Sequence, residues 1–150
     1  PQAPRASPPG LRDWPALSAD YASYHTTPGN RLCHLVGIPL VVLAVLDWTR
    51  RPFGSSLPLA WVLLPVYFAW QTRLGVAMMV ATAVLATIAG TMPWWGPVLA
   101  FLAGWALQFI GHRTFENNSP AFSKNLLHLL VGPAWLLERH LPAPDTREGS

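Results

Sequence analysis

The residues best equipped for chemistry are histidines, and most of them stand in polar clusters. The first cluster runs from His25 to Pro39 and holds Asn30, Arg31, Cys33 and His34; the second runs from Gln108 to Ala121 and holds His112, Arg113 and Glu116. His128 follows shortly after. Asn30 and His34 are four apart, as are His112 and Glu116, so each pair shares a helix face if those stretches are helical. Imidazoles from neighbouring helices, with a carboxylate, are what a divalent metal needs in a helical bundle. Neutral imidazole and carboxylate suit ferrous iron or zinc, whereas the thiolate set of a structural zinc site is absent from a chain with one cysteine. His25, His34, His112 and His128 are therefore the candidate metal ligands, with the polar groups of Glu116 and Asn30 beside them. Arg31, Arg113 and Lys124 are the basic residues in and beside these clusters.

Four stretches of chain must position these groups, and their composition is unusual. Of the 150 residues, 51% are hydrophobic and only 11% charged, against about 25% charged in an average soluble domain. That argues against a soluble enzyme, a nucleic-acid module or a disordered chain. The net charge of +3 then reflects loop arginines. Leu32–Leu46, Pro52–Thr72 and Leu74–Gly111 contain no Asp, Glu, Lys or Arg. A bilayer needs about 20 apolar helical residues per span, so the third run accommodates two, with the turn at Met92-Pro93-Trp94-Trp95-Gly96-Pro97. The expectation is an all-α integral membrane protein with spans near 32–48, 55–71, 74–91 and 95–115. A shorter apolar run, Asn125–Leu137, predicts an interfacial or re-entrant helix. The Pro-rich ends predict disordered tails over 1–12 and 141–150, leaving 13–140 as one helical membrane domain. The first ten residues have no apolar core and do not read as a signal peptide.

Four spans put the start of the first and the end of the fourth on one side. His34 and His112, 78 positions apart, then meet at the same depth, with His128 on that side too. The same side collects Arg5, Arg12, Arg31, Arg73, Arg113, Lys124, Arg139 and Arg147, against Arg50 and Arg51 on the other. Positive charge is retained inside, so both termini are expected to be cytoplasmic. Polar groups at membrane depth are costly and mark function by default.

Each group also has a plainer role. His140 reads as a capping or snorkelling residue, and His128 equally as ligand or packing residue. Glu116 has Arg113 as an alternative partner, Gln108 suits an interhelical hydrogen bond, and Cys33 packs as a small apolar residue. Gly37-Ile38-Pro39 reads as a packing and kink element. Trp48, Trp61, Trp70, Trp94, Trp95, Trp105 and Trp135 read mostly as interface anchors. Two other functions use the same groups: a zinc-dependent membrane hydrolase that activates water, and a non-enzymatic polar or proton pathway.

The spacing His25-x4-Asn30-x3-His34-x2-Gly37-x-Pro39, followed by Gln108-x2-Gly111-His112-x2-Phe115-Glu116-x3-Pro120-Ala121 and a late Gly132-Pro133 with Glu138, resembles the 2-hydroxy-fatty-acid dioxygenase family. The resemblance covers about residues 18–140. It implies a small multi-spanning protein that uses Fe2+ and O2 in fatty-acid α-oxidation, converting a 2-hydroxy fatty acid to the acid one carbon shorter. It matches His25, His34 and His112 to the family's motif histidines and Asn30 and Glu116 to their polar partners; His128 falls in a less sharply defined motif. The short loops are similar to those of bacterial members, which implies a bacterial inner membrane, with substrate and membrane lipid as partners. Oligomeric state, including a homo-oligomer, is left open by the sequence.

Overall fold

The computed structural model describes residues 10–117 and 126–142. Lys124, Pro120, Ala121, the start of the last apolar run and most of both expected tails lie outside the described residues. Among the described residues the protein is all-helical: α1 (Trp14–Ser23), α2 (Pro28–Phe53), α3 (Leu57–Trp70), α4 (Thr72–Ala89), α5 (Gly96–Gly111) and α6 (His128–Glu138), with a π-helical turn, His112–Glu116, running on from α5.

Local chemistry sets the boundaries. Asp13 caps α1 by accepting from the Ala16 N–H, and Thr27 caps α2 by accepting from the Asn30 N–H. Prolines open α1, α2, α3 and α5, where a missing N–H costs nothing. Gly54 ends α2 with φ of 71°, a backbone that favours glycine. A single extended residue, Gln71, separates α3 from α4.

Two of the expected spans, α2 and α4, are long and apolar enough to cross a membrane by length and composition. The helices on the other two are 14 residues (α3) and 16 residues (α5) long, short of the ~20 that a full span takes. Pro52 to Ser56 go to the end of α2 and its turn, which shortens α3. α5 is continued by the five residues of the π turn.

α2 is the central helix. It packs along α5 most extensively and also against α4, while α3 pairs with α4 and α1 with α6. The crossing of α2 and α5 is made by glycines. A Cβ on Gly37 would lie 2.7 Å from the Gly104 carbonyl oxygen, and one on Gly104 would lie 2.6 Å from that of Gly37. A Cβ on Gly111 would collide with the Asn30 amide oxygen. Small residues allow this backbone approach, which aligns the start of α2 with the end of α5.

α6, on the run expected to form an interfacial or re-entrant helix, packs into the core: Val131, Ala134, Trp135 and Leu136 are buried with Trp14, Leu17 and Tyr21 of α1. Helix α1, which was not expected, supplies the apolar face that α6 covers. Its Trp14, Leu17 and Tyr21 fall at helical spacing. Trp48, Trp61, Trp94 and Trp95 are exposed as interface anchors would be, whereas Trp70 and Trp135 are buried. Trp70 stacks on Trp14 with ring centroids 4.8 Å apart and donates to the Leu11 carbonyl.

Candidate metal centre

His25, His34 and His112 converge on one point. Each offers a ring nitrogen, all within 4.8 Å of one another, and all three residues are buried, at 1–2% exposure. They come from three places: the α1–α2 loop, the second turn of α2, and the junction of α5 with the π turn. The Gly37–Gly104 crossing brings the last two together, and α1 delivers the first.

Two of the rings are locked by their own chain. His25 Nδ1 lies 2.7 Å from the Tyr21 carbonyl oxygen, and His34 Nδ1 lies 2.9 Å from that of Asn30, each four residues earlier. A carbonyl only accepts, so both Nδ1 atoms carry the proton and both Nε2 atoms keep a lone pair. Metal-bound histidines commonly have this backing. His25 Nε2 is buried with no partner in the protein, a position that a cation would satisfy. Burial pushes the His25 imidazole down to about 3, with help from His34 and then His112 and against the Tyr21 hydrogen bond. It is therefore neutral and competent to ligate at physiological pH. A second aromatic layer backs it: Tyr21 stacks on its ring at 4.1 Å.

The polar partners form a clamp. Glu116 accepts from the Thr26 hydroxyl at 2.7 Å and from the Thr27 N–H at 2.7 Å. It also accepts from the Thr27 hydroxyl at 3.0 Å and the Asn30 amide at 3.4 Å. Partial burial raises its carboxyl, but these hydrogen bonds outweigh that and hold it at about 2. The Asn30 amide nitrogen also donates to the Tyr24 carbonyl and faces His112 Nδ1 at 3.5 Å. Glu116 thus ties the π turn to the α1–α2 loop, and the Arg113 pairing is not the one formed. The π turn rotates residue 116 away from the face that a regular helix shares with residue 112.

His128 is buried beside the triad and lines the same cavity, with Gln108, but its ring is not in the group of three nitrogens that converge. Its Nε2 pairs with an Asp20 carboxylate oxygen at 2.8 Å, and its Nδ1 is buried with no partner. Arg31 donates to the His25 carbonyl at 2.7 Å and Arg113 is exposed on the π turn; neither lines the triad's cavity. Gln108 bonds within its own helix, to the Gly104 carbonyl at 3.4 Å. Tyr21 and Asp20, which hold His25 and His128, were not singled out from the sequence. The helical spacing of Trp14, Leu17 and Tyr21 was the available signal.

A helical bundle that gathers three buried imidazoles at one point, two of them locked by backbone carbonyls, could hold a metal ion there. Comparison with known sequences then gives the family: residues 12–141 match the family model described as 2-hydroxy-palmitic acid dioxygenase Mpo1-like, and the chain belongs to this Mpo1-like family. A relative, the 2-hydroxy-palmitic acid dioxygenase MPO1 of Saccharomyces cerevisiae, is 27% identical over 131 residues, covering 81% of this chain and 75% of the relative. No solved structure matches the chain.

Proposed function

We propose that the protein is an Fe2+-dependent dioxygenase of 2-hydroxy fatty acids, acting at a membrane. The observation that carries this reading is the converging triad of His25, His34 and His112 in a chain of this family. The donor set fits ferrous iron: three buried imidazoles, two with fixed tautomers, one with an orphaned Nε2. Iron held there would supply the redox chemistry that O2 needs to react with a closed-shell acid. The overall change balances with O2 as sole oxidant. The 2-hydroxy acid loses C1 as CO2, C2 becomes the new carboxyl, and one water forms.

The remaining roles fall to this chain's own residues. Tyr21 and Asn30 carbonyls aim the ligands. Asn30 and Glu116 hold the His112 side of the site against the α1–α2 loop. His128, backed by Asp20, presents a buried Nδ1 at the cavity wall, suited to a substrate oxygen. Arg31 and Arg113 supply positive charge at this end of the bundle for a carboxylate, and Lys124, outside the described residues, is assigned the same role from the sequence.

Membrane integration is part of the same proposal, with 13–140 as the membrane domain, four spans and both termini cytoplasmic. Its support is the length and hydropathy of α2 and α4, and an outer surface on α3, α4 and α5 carrying exposed Trp61, Val62, Val80, Val84, Leu99 and Leu102. Patches of that kind are rare on soluble monomers. The Arg50–Asp47–Arg51 cluster lies about 20 Å along α2 from His34, about two-thirds of the ~30 Å hydrocarbon thickness of a bilayer.

The test is anaerobic purification followed by elemental analysis and an O2-dependent assay with 2-hydroxy fatty acids. About one iron per chain, lost in His25→Ala, His34→Ala and His112→Ala, with an acid one carbon shorter as product, is the expected result. Zinc at that stoichiometry with O2-independent hydrolysis, or no metal uptake from ferrous solution, overturns it.

A further inference from the structure

A second cavity of about 330 Å³ lies between α2, α3 and α5, closed by α4 and α6. Val41, Val42, Trp105, Leu129 and Pro133 line both it and the cavity of the histidine triad, so the two adjoin. Its walls are almost wholly apolar; the hydroxyls among them belong to Thr82 and to Tyr67, which already donates to the Leu130 carbonyl at 3.1 Å. The far end is marked by Leu46 on α2 and by Leu59 and Ala60 on α3. These ends are held together by the Ser56 hydroxyl, which donates to the Leu46 carbonyl at 2.9 Å.

From His34 to Leu46 the rise along α2 is about 18 Å. One leaflet of a bilayer's hydrocarbon core is about half of ~30 Å. The combined cavity is therefore about as deep as a membrane acyl chain is long. It is polar at the histidine end and apolar beyond. We propose that this cavity receives the acyl chain of the substrate, and that Ala60, at its floor, limits the chain length accepted. The inference rests on the dioxygenase reading for the position of the carboxylate end. It adds where the chain lies and what measures it. Trp105 and Pro133 form the neck between the reacting end and the chain.

The experiment has two arms, both with the full chain loaded with iron in lipid nanodiscs. In the first, kcat/KM is measured for 2-hydroxy fatty acids of graded length. Ala60→Trp is expected to lower the long-chain to short-chain ratio by about tenfold or more, since a pocket rejects a chain that overfills it by this order. Val62→Trp, on the exposed side of α3, leaves the ratio within twofold. Equal ratios in wild type and Ala60→Trp overturn the proposal. In the second arm, a 2-hydroxy fatty acid with a photoreactive group at its methyl end is crosslinked to wild-type protein. Labels on Leu46, Leu59 or Ala60, removed by unlabelled 2-hydroxy acid, support it. Labels spread over lipid-facing residues, or the same labels from a phospholipid probe that the acid does not displace, overturn it. If wild type turns over no 2-hydroxy acid, the dioxygenase reading fails while the crosslinking arm still decides the cavity.

Discussion

The two backbone-locked histidines show how a chain can fix an imidazole with no dedicated second residue. Each ring sits one turn after the carbonyl that orients it, so the tautomer is set by helix geometry. His128 is different, being oriented by a carboxylate on another helix. His128→Ala is expected to keep near-stoichiometric iron by elemental analysis while turnover falls; loss of the metal would make it a fourth ligand. The shifts of His25 and Glu116 predict the acid behaviour of the metal-free protein. His25 has a folded value of about 3, below the ~6.5 of a free histidine. The unfolded chain binds the extra proton first, and stability falls as pH drops from about 6.5 towards 3. Glu116, at about 2 against ~4.3 when free, contributes stability above that free value. It is lost as pH falls through about 2. Circular-dichroism titration of wild type and Glu116→Gln should show a stability gap that is full above pH ~4.3 and closes below it. A gap independent of pH would place the Gln effect elsewhere.

At the scale of elements, the α2–α5 crossing decides whether a site exists. The glycines at 37 and 104 let the backbones touch, and Gly111 makes room for Asn30. Gly104→Leu should separate the helices at the level of Val41 and, through the lever of α5, withdraw His112 from His34. Overpacking of this kind costs about 1–3 kcal/mol. Thermal unfolding should show that loss, and elemental analysis should show that the folded fraction binds less than its share of iron. The α1–α6 layer is stitched by polar contacts at its edge. Glu138 accepts from the Trp14 indole at 2.7 Å and from the Ser18 hydroxyl at 3.2 Å. It holds α1, and with α1 the Tyr21 carbonyl that aims His25.

At the scale of the whole molecule, the apolar exterior and the two polar ends predict how the protein sits in a bilayer. The proposed four crossings would place the α4–α5 turn and the end of α6 on opposite sides. In a Cys33→Ser background, Thr91→Cys should react with an impermeant thiol reagent in intact cells. His140→Cys should react only after the membrane is opened. The reverse pattern would invert the orientation, and equal reactivity would mean that α3 and α5, at 14 and 16 residues, do not cross. The proposed arrangement, a reactive end at a polar face with an acyl-deep cavity beneath it, would suit a substrate already dissolved in the membrane.

Much of this was legible from residue order. Long charge-free runs broken by Pro-rich turns specify apolar helices, because periodicity and breakers are local properties. The parity of antiparallel helices joined by short connections puts His34 and His112 at one depth, since an odd helix begins where an even one ends. The motif spacing also pointed to the family that the comparisons confirm. What no local pattern carries is rotation about each helix axis and the distance between axes. Only the packed structure selects His25, His34 and His112 over His128, turns Glu116 onto Thr26 and Thr27 through a π turn, and draws α1 and α6 into the core. Those outcomes depend on glycine contacts and buried aromatic faces between segments tens of residues apart, whose free energy exists only once all the helices have met.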